Sequence, residues 1–451
     1  MLRELKTFSI LSLGIFTWAI APLSFGQGLP AEGEDAAVPE PLFLTVSDVV
    51  ARLEAASPAV LIEKETVRRA LHQSYQSRAA LYPSLSLNVE QSRQQYGLDS
   101  TRDPYDGPPF NAFSSRVTGN LSVFNTQNYA DYRLARMEHR IATMDYEVAL
   151  QDFISQALQV YFTQLRDIRR IEIVESNLVR ERELLELARQ QYDAGVAIKI
   201  DVTRAEVRLA TERRSLMEAR TQAENSMLQL KALLDLDLDG AVLLDRSVID
   251  GIKAPPSLKR YGSMEALTEM RPELSGQQER VDQAILARKA AGWQRLPTVD
   301  LFADWGYDSG EPFDDNEGEA WLVGIRASMP LFEGFRIRAE KREATAAVRQ
   351  AQFQMTRLRN EIEREFRYAL IEMESRYDQI EIAREEVRLG RDEVDQAGER
   401  YREGLADNRE LIDAQQRLSD AENSHLQAIY LYGLSRLAFA RAIGSAQRVL
   451  E

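Results

Sequence analysis

The feature that most constrains this chain is a stretch it contains twice. Residues 188–209 read ARQQYDAGVAIKIDVTRAEVRL, and residues 397–418 read AGERYREGLADNRELIDAQQRL. Ala188, Tyr192, Gly195, Ala205 and Leu209 align without a gap on Ala397, Tyr401, Gly404, Ala414 and Leu418, each pair 209 residues apart. An acid, Asp201 or Glu410, falls six residues after each glycine. Each copy reads as a helix, a glycine-centred break and a second helix, because glycine enters the left-handed conformation that ends a helix without a Cβ penalty. Asp201 is expected to cap the following helix by accepting from free first-turn N–H groups. Glu410 is a weaker cap but suits the positive end of the helix dipole. The duplication extends well beyond the hairpins: Pro58 pairs with Pro272 and Pro83 with Pro297, both at an offset of 214, so two tandem repeats organise the chain.

After each of Pro83 and Pro297 the pattern changes to a period of two. Leu85, Leu87 and Val89 alternate with Ser86, Asn88 and Glu90, and Val117, Gly119, Leu121 and Val123 with Thr118, Asn120 and Ser122. In the second half Val299, Leu301, Ala303, Trp305 and Tyr307, then Trp321, Val323, Ile325, Ala327 and Met329, do the same. These are two β-hairpins, at about 84–124 and 297–330, each with one apolar and one polar face. Phe124 and Phe332 follow them, then long helices over about 129–192 and 336–401, each on the order of 100 Å at 1.5 Å per residue. Past the tip turns, about 193–201 and 402–410, seven-residue spacings run through Val202, Ala205, Leu209, Leu216, Ala219, Ala223, Leu230 and Leu233, and through Leu411, Ala414, Leu418, Ala421 and Ala428. Those are coiled-coil seams, alanine-rich enough for close helix approach.

Residues 1–26, with Arg3 and Lys6 ahead of an apolar core and Ser24-Phe25-Gly26 behind it, read as a secretory signal peptide. Residues 27–45 read as a flexible leader. A helix is expected from Val46, capped by Ser47 and marked at Pro58, to about Leu81, with residues 263–296 as its counterpart. Residues 236–260 form a mixed segment closing repeat one (46–260); repeat two spans 261–446, and 447–451 are a tail.

The sequence has no cysteine, which excludes disulfides, a catalytic thiol and a lipid-bearing N-terminal cysteine. A net charge of −15 argues against nucleic acid as a partner. His72, His139 and His425 are scattered, and no phosphate loop, zinc-protease or serine-hydrolase motif occurs. An enzyme is not expected, nor a cofactor or metal site.

Four amphipathic strands cannot close a barrel alone, and an open edge cannot face lipid because its backbone groups would find no water there. Several copies must therefore join; two would give eight strands and three twelve, both even. Tyr96, Trp305, Tyr307, Phe313 and Trp321 near strand ends suit an interfacial girdle. A periplasmic coiled-coil scaffold without a barrel is the alternative of another class.

The doubled Y-x-x-G-x5-[DE] motif (Tyr192, Gly195, Asp201; Tyr401, Gly404, Glu410), the prolines before the strands (Pro83, Pro297) and the turn Pro330-Leu331-Phe332-Glu333-Gly334 together resemble the TolC-type outer membrane factors, over about 46–444. The resemblance implies a mainly α fold with a membrane β-barrel part: a homotrimer, four strands per chain completing a 12-stranded barrel in outer membrane lipid, above an α-helical tunnel through the periplasm. It implies passive export of small molecules from an inner membrane pump through a periplasmic adaptor, or else protein export of the type I kind. It also implies a gate at the hairpin tips. Glu410 and Asp413, three residues apart on one helix face, would form a carboxylate ring, and Tyr401 of one hairpin would link to Asp201 of another. The basic residue that some members carry two positions after the second glycine is Ala406 here, with Arg409 as a possible substitute. Adaptor docking would use Tyr192, Gly195, Gly404 and Arg409.

Overall fold

The computed structural model describes residues 41–95, 109–250, 254–255, 271–312 and 318–445. The signal peptide, most of the leader, Tyr96, Phe313, the tail and residues 263–270 lie outside them.

Two short strands, β1 (Leu42–Leu44) and β4 (Val242–Leu244), pair in parallel. The leader therefore ends before Leu42, and the mixed segment supplies the partner strand, followed by the one-turn helix α5 (Ser247–Asp250). The Tyr161 hydroxyl ties this ribbon to the helices by reaching the Leu44 carbonyl at 3.3 Å and the Asp245 carbonyl at 3.0 Å. The expected first helix is two: α1 (Val46–Ala56) and α2 (Pro58–Ala79). Its cap is Thr45, not Ser47. Thr45 Oγ1 accepts from Asp48 N–H while Asp48 accepts from Thr45 N–H, a reciprocal pair that satisfies two otherwise free donors. Pro58 opens α2 at its first position, where a missing N–H costs nothing.

The membrane-type sheet has four antiparallel strands: β2 (Ser84–Gln94), β3 (Phe110–Phe124), β5 (Thr298–Ser309) and β6 (Gly318–Ser328), in the order β2-β3-β5-β6. Register puts Leu87, Val117, Trp305 and Trp321 in one row across it. Because side chains alternate between faces, that row belongs to a continuous apolar face. The next row, Ser86, Thr118, Asp304 and Leu322, lies on the opposite face. There Arg116 bonds Asp304 at 2.7 Å and also pairs with Asp308. Arg116 crosses Gly306, where a Cβ would fall 2.2 Å from the Ser115 carbonyl, so only glycine fits beneath it. Trp305 and Tyr307 stack edge to face at 5.4 Å, and Trp321 is 71% exposed.

Two helices run the length of the helical part: α3 (Thr126–Asp193) and α7 (Arg336–Arg402), each about 100 Å long. Between them lie α6 (Pro272–Trp293) toward the sheet and α8 (Asn408–Ala442) toward the tips. On the far side of α3 lie α2 toward the sheet and α4 (Lys199–Leu233) toward the tips. The coiled-coil expectation holds: Val202, Ala205, Leu209, Ala219, Ala223 and Leu230 are buried along α4, as are Leu411, Ala414, Leu418 and Ala428 along α8. At Gly390 a Cβ would stand 3.3 Å from Leu418 Cα, so α7 and α8 touch almost backbone to backbone. Among the described residues no helix is long and apolar enough to cross a membrane.

Candidate functional site

The tips, at the end of α3 and α7 away from the sheet, are built alike. Gly195 has φ +74° and Gly404 φ +71°. Val196 N–H donates to Gln191 C=O at 2.9 Å and Gly195 N–H to Tyr192 C=O at 3.0 Å; Leu405 donates to Arg400 C=O at 2.8 Å and Gly404 to Tyr401 C=O at 3.2 Å. Each helix thus ends in the paired six-to-one and five-to-two bonds of a left-handed glycine stop. No atom lies within 4 Å of a Cβ at either glycine, so the requirement for glycine there is one of backbone angle, not of space.

The capping expectations are corrected. Helix α4 begins at Lys199, and the N-cap position before it is Ile198, whose side chain has no polar atom to cap with. Asp201 sits in the first turn, where its carboxylate accepts weakly from Ile198 N–H at 3.4 Å and pairs with Arg204 at 3.2 Å. Helix α8 is capped by Asp407, which accepts from Arg409 N–H at 3.1 Å and Glu410 N–H at 3.3 Å. Glu410 likewise sits within the first turn.

The two tips share one apolar cluster, with Leu185 and Ala188 of α3, Val202 and Ala205 of α4, Ala397 and Tyr401 of α7, and Leu411 and Ala414 of α8. Within the chain Tyr401 and Asp201 do not bond. The buried Tyr401 hydroxyl has no hydrogen-bond partner among the described residues. Burial raises its pKa, and the nearby charges of Asp201 and Asp407 raise it further. The hairpins are joined instead by Asn408 Nδ2, fully buried, donating to Asp201 C=O at 2.9 Å, and by Gln191 Nε2 donating to Tyr401 C=O at 2.9 Å. Neither residue was singled out from sequence. The one available signal was position: each lies within four residues of a tip glycine or cap.

Glu410 and Asp413 are both exposed, on the same face of α8. Glu410 pairs with Arg400, in the last turn of α7, at 3.0 Å. Arg409 is exposed and makes no ion pair among the described residues, so the tip cation that meets Glu410 is Arg400. Tyr192 is 43% exposed, with Lys199 Nζ 5.9 Å from its ring centre. Above the first tip, Glu181 is buried on α3 and Glu212 lies near it on α4; burial raises both pKa values, with Arg208 opposing. No group of three or more histidines and carboxylates among the described residues could hold a metal ion.

A four-stranded sheet with one apolar face, carried on two tandem sets of long helices that end in hairpin tips, defines a class: a β-barrel membrane duct extended by coiled coils. Residues 49–235 and 264–445 match the family model described as outer membrane efflux protein, and the chain belongs to that family. Among curated proteins it is 24% identical over 370 residues to the alkaline protease secretion protein AprF of Pseudomonas aeruginosa, covering 79% of this chain and 75% of that one. It is 23% identical over 397 residues to the outer membrane protein TolC of Vibrio cholerae, covering 83% and 85%. Among solved structures it resembles the Campylobacter jejuni CmeC outer membrane channel, with a TM-score of 0.76 at 18% identity over 88% of this chain and 85% of that one. The open-state MtrE outer membrane channel of Neisseria gonorrhoeae gives 0.74 at 15% identity over 89% of each. The chain is an efflux exit duct of the outer membrane with a helical tunnel in the periplasm, a channel and not an enzyme. Family membership implies a periplasmic adaptor and an inner membrane pump as partners.

Proposed function

We propose that three copies close a 12-stranded barrel and that the duct releases small molecules delivered by an inner membrane pump and its adaptor. The observation that carries this is the pair of unlike edges, unpaired among the described residues. The sheet stops at β2 on one side and β6 on the other. The helical layer likewise stops at α2 and α4 on one side and α7 on the other. Unlike edges join head to tail, and a lipid-facing sheet, which cannot leave an edge free, requires that such contacts close into a ring. Exposed apolar residues on both helical edges, Val207 and Met217 on α4 and Phe353 and Ile371 on α7, suit mutual burial on closure. The family likeness is the ground for three copies rather than two.

At the tips, Glu410 and Asp413 from each copy line the constriction, and Tyr401 of one hairpin links to Asp201 of the other. Its unpartnered buried hydroxyl supports that link. The residues around Gly195 and Gly404, with Tyr192 and Arg409, receive the adaptor. Light-scattering mass in detergent tests assembly: three chains are expected, and a monomer would overturn the barrel. The cargo is tested in a strain lacking the gene. Retention of a fluorescent dye with unchanged secreted proteins is expected. Normal retention with a missing secreted protein would favour protein export, a second reading that the likeness to a protease secretion protein supports.

A further inference from the structure

The chain carries a net charge of −15, yet that charge is sorted along the sheet. The thirteen residues next to the helix-side end of each sheet strand, 71–83, 125–137, 285–297 and 329–341, hold nine lysines and arginines against three acids. The connections at the opposite end, 95–109 and 310–317, hold one arginine against seven acids. The apolar face of the sheet therefore ends in a basic rim on the side of the helices.

Most of that rim is uncompensated. Arg336 pairs with Glu333 and Glu340. Arg78, Arg133, Arg136, Arg295 and Arg338 are exposed and make no ion pair among the described residues. Three of them lie against tyrosine rings. Arg78 Cζ is 5.4 Å from the ring centre of Tyr75 and 5.7 Å from that of Tyr82; Arg133 is 5.9 Å from Tyr129 and Arg136 5.9 Å from Tyr132. A ring steadies a guanidinium without neutralising it, so the charge stays available. Tyr129, Arg133, Arg136 and Arg140 fall at i, i+4, i+7 and i+11 on one face of α3, while Asp131, Glu138 and Asp145 recur by sevens on the opposite side. Just ahead of Arg336 and Arg338 stands an apolar turn, with Leu331 90% exposed, Phe332 75% and Phe335 69%. Phe335 has φ +66°, the left-handed region that residues other than glycine seldom occupy, and its ring packs edge to face on Phe332 at 5.5 Å.

We infer that this rim binds anionic phospholipid of the leaflet that faces the helices, with lipid phosphates on the guanidinium groups and acyl chains beside the Leu331–Phe335 turn. The inference needs only the outer membrane location, not the number of copies. That location puts the apolar face of the sheet in hydrocarbon, and headgroups occupy roughly the next 5–8 Å beyond its end. Arginine reaches that layer along the helix on its long apolar stem, and tyrosine suits the same boundary. The cations alone would fit any anion. The exposed apolar turn selects a lipid, because a free anion or an acidic peptide would leave it in water.

The test is native mass spectrometry of the protein released from detergent after equilibration with equimolar palmitoyl-oleoyl phosphatidylglycerol and phosphatidylethanolamine. Retained phosphatidylglycerol is expected to exceed phosphatidylethanolamine at least about tenfold, and the excess to shrink as salt in the equilibration buffer rises. The variant Arg78→Gln/Arg133→Gln/Arg136→Gln/Arg338→Gln is expected to bring the ratio to within about threefold of parity, whereas Arg78→Lys/Arg133→Lys/Arg136→Lys/Arg338→Lys should keep it. The same spectra show whether each variant assembles as the native protein does. Should the four-glutamine variant fail to assemble, Arg133→Gln/Arg136→Gln is expected to lower the ratio at least about threefold. Equal retention of the two lipids by the native protein, or an excess that persists in the glutamine variants, would overturn the inference. The number of chains in those spectra tests the ring separately, so either reading can fail without the other.

Discussion

At the first tip Tyr192 is 43% exposed and Asp201 is buried; at the second, Tyr401 is 3% exposed and Glu410 stands in solvent. The aligned motif predicts the same backbone at both, and the backbones agree. What differs is the side each tip turns toward the other. Asn408 inserts from the second tip onto the Asp201 carbonyl, which buries the first tip's acid. Gln191 of the first tip reaches the Tyr401 carbonyl, which buries the second tip's tyrosine. The seams differ too. Glu181 and Glu212 sit along the first hairpin where the equivalent positions of the second are Gly390 and Ala421. Small residues let α7 and α8 close tightly, whereas the first hairpin holds carboxyls at its seam. A duplicated hairpin therefore diverges through its contacts with its sister and along its own seam, while the backbone of the turn is kept.

The largest effect that separates the tips is expected from the two tyrosines. Tyr401→Ala should lower the local opening free energy by about 3–5 kcal/mol, the range for emptying a buried aromatic site, while Tyr192→Ala should stay within about 1 kcal/mol. Hydrogen exchange of tip amides reads both, and equal losses would show that the tips are not asymmetric. Next, Gly195→Ala and Gly404→Ala should each cost about 1–2 kcal/mol through the left-handed backbone alone. With nothing for a Cβ to strike at either position, the two costs should match, and a much larger one at either would reveal a neighbour pressed against it. Asn408→Ala should cost about 0.5–1.5 kcal/mol by removing the buried amide bond to the Asp201 carbonyl, which keeps its own helical donor. Exchange should then quicken in both tips together; a change confined to the second tip would mean that the bond does not couple them.

The smallest effect is pH dependence at the first seam. Burial raises the pKa of Glu181 and Glu212 above 4.5. Their protonated forms favour the folded seam, so their contribution is fully present below pH 4.5 and is lost as pH rises through the folded-state values. Protection factors at the first hairpin, taken against the intrinsic base-catalysed exchange rate, should therefore fall over that rise, and Glu181→Gln should flatten their pH profile. An unchanged profile in that variant would move the titration elsewhere.

Much of the architecture was legible in the sequence because its causes are local. A positive φ calls for glycine at positions 195 and 404. Alternation along β2, β3, β5 and β6 announces a sheet with one apolar face, and seven-residue spacing along α4 and α8 announces their seams. Local cues also misled where two candidates stood side by side. Ser47 and Thr45 both suit a cap, and only Thr45 has Asp48 three residues on to complete the reciprocal bond. Asp201 and Glu410 looked like caps because acids favour the first turn, and both sit inside it rather than at its start.

The sequence by itself determined the duplicated helix breaks, the membrane-type strands and the membership that follows from them, since each rests on residue preferences within a few positions. Only the tertiary structure decided that Leu42–Leu44 pairs with Val242–Leu244, that Arg400 rather than Arg409 meets Glu410, and that Asn408 and Gln191 lock the tips together. The strand pair and the two locks join residues about 200 positions apart, and the Arg400 pair spans a helix turn whose geometry sets which side chains face. Short-range periodicity carries no information about such meetings. They follow from how the packed helices and strands bring distant backbones and side chains within hydrogen-bonding reach.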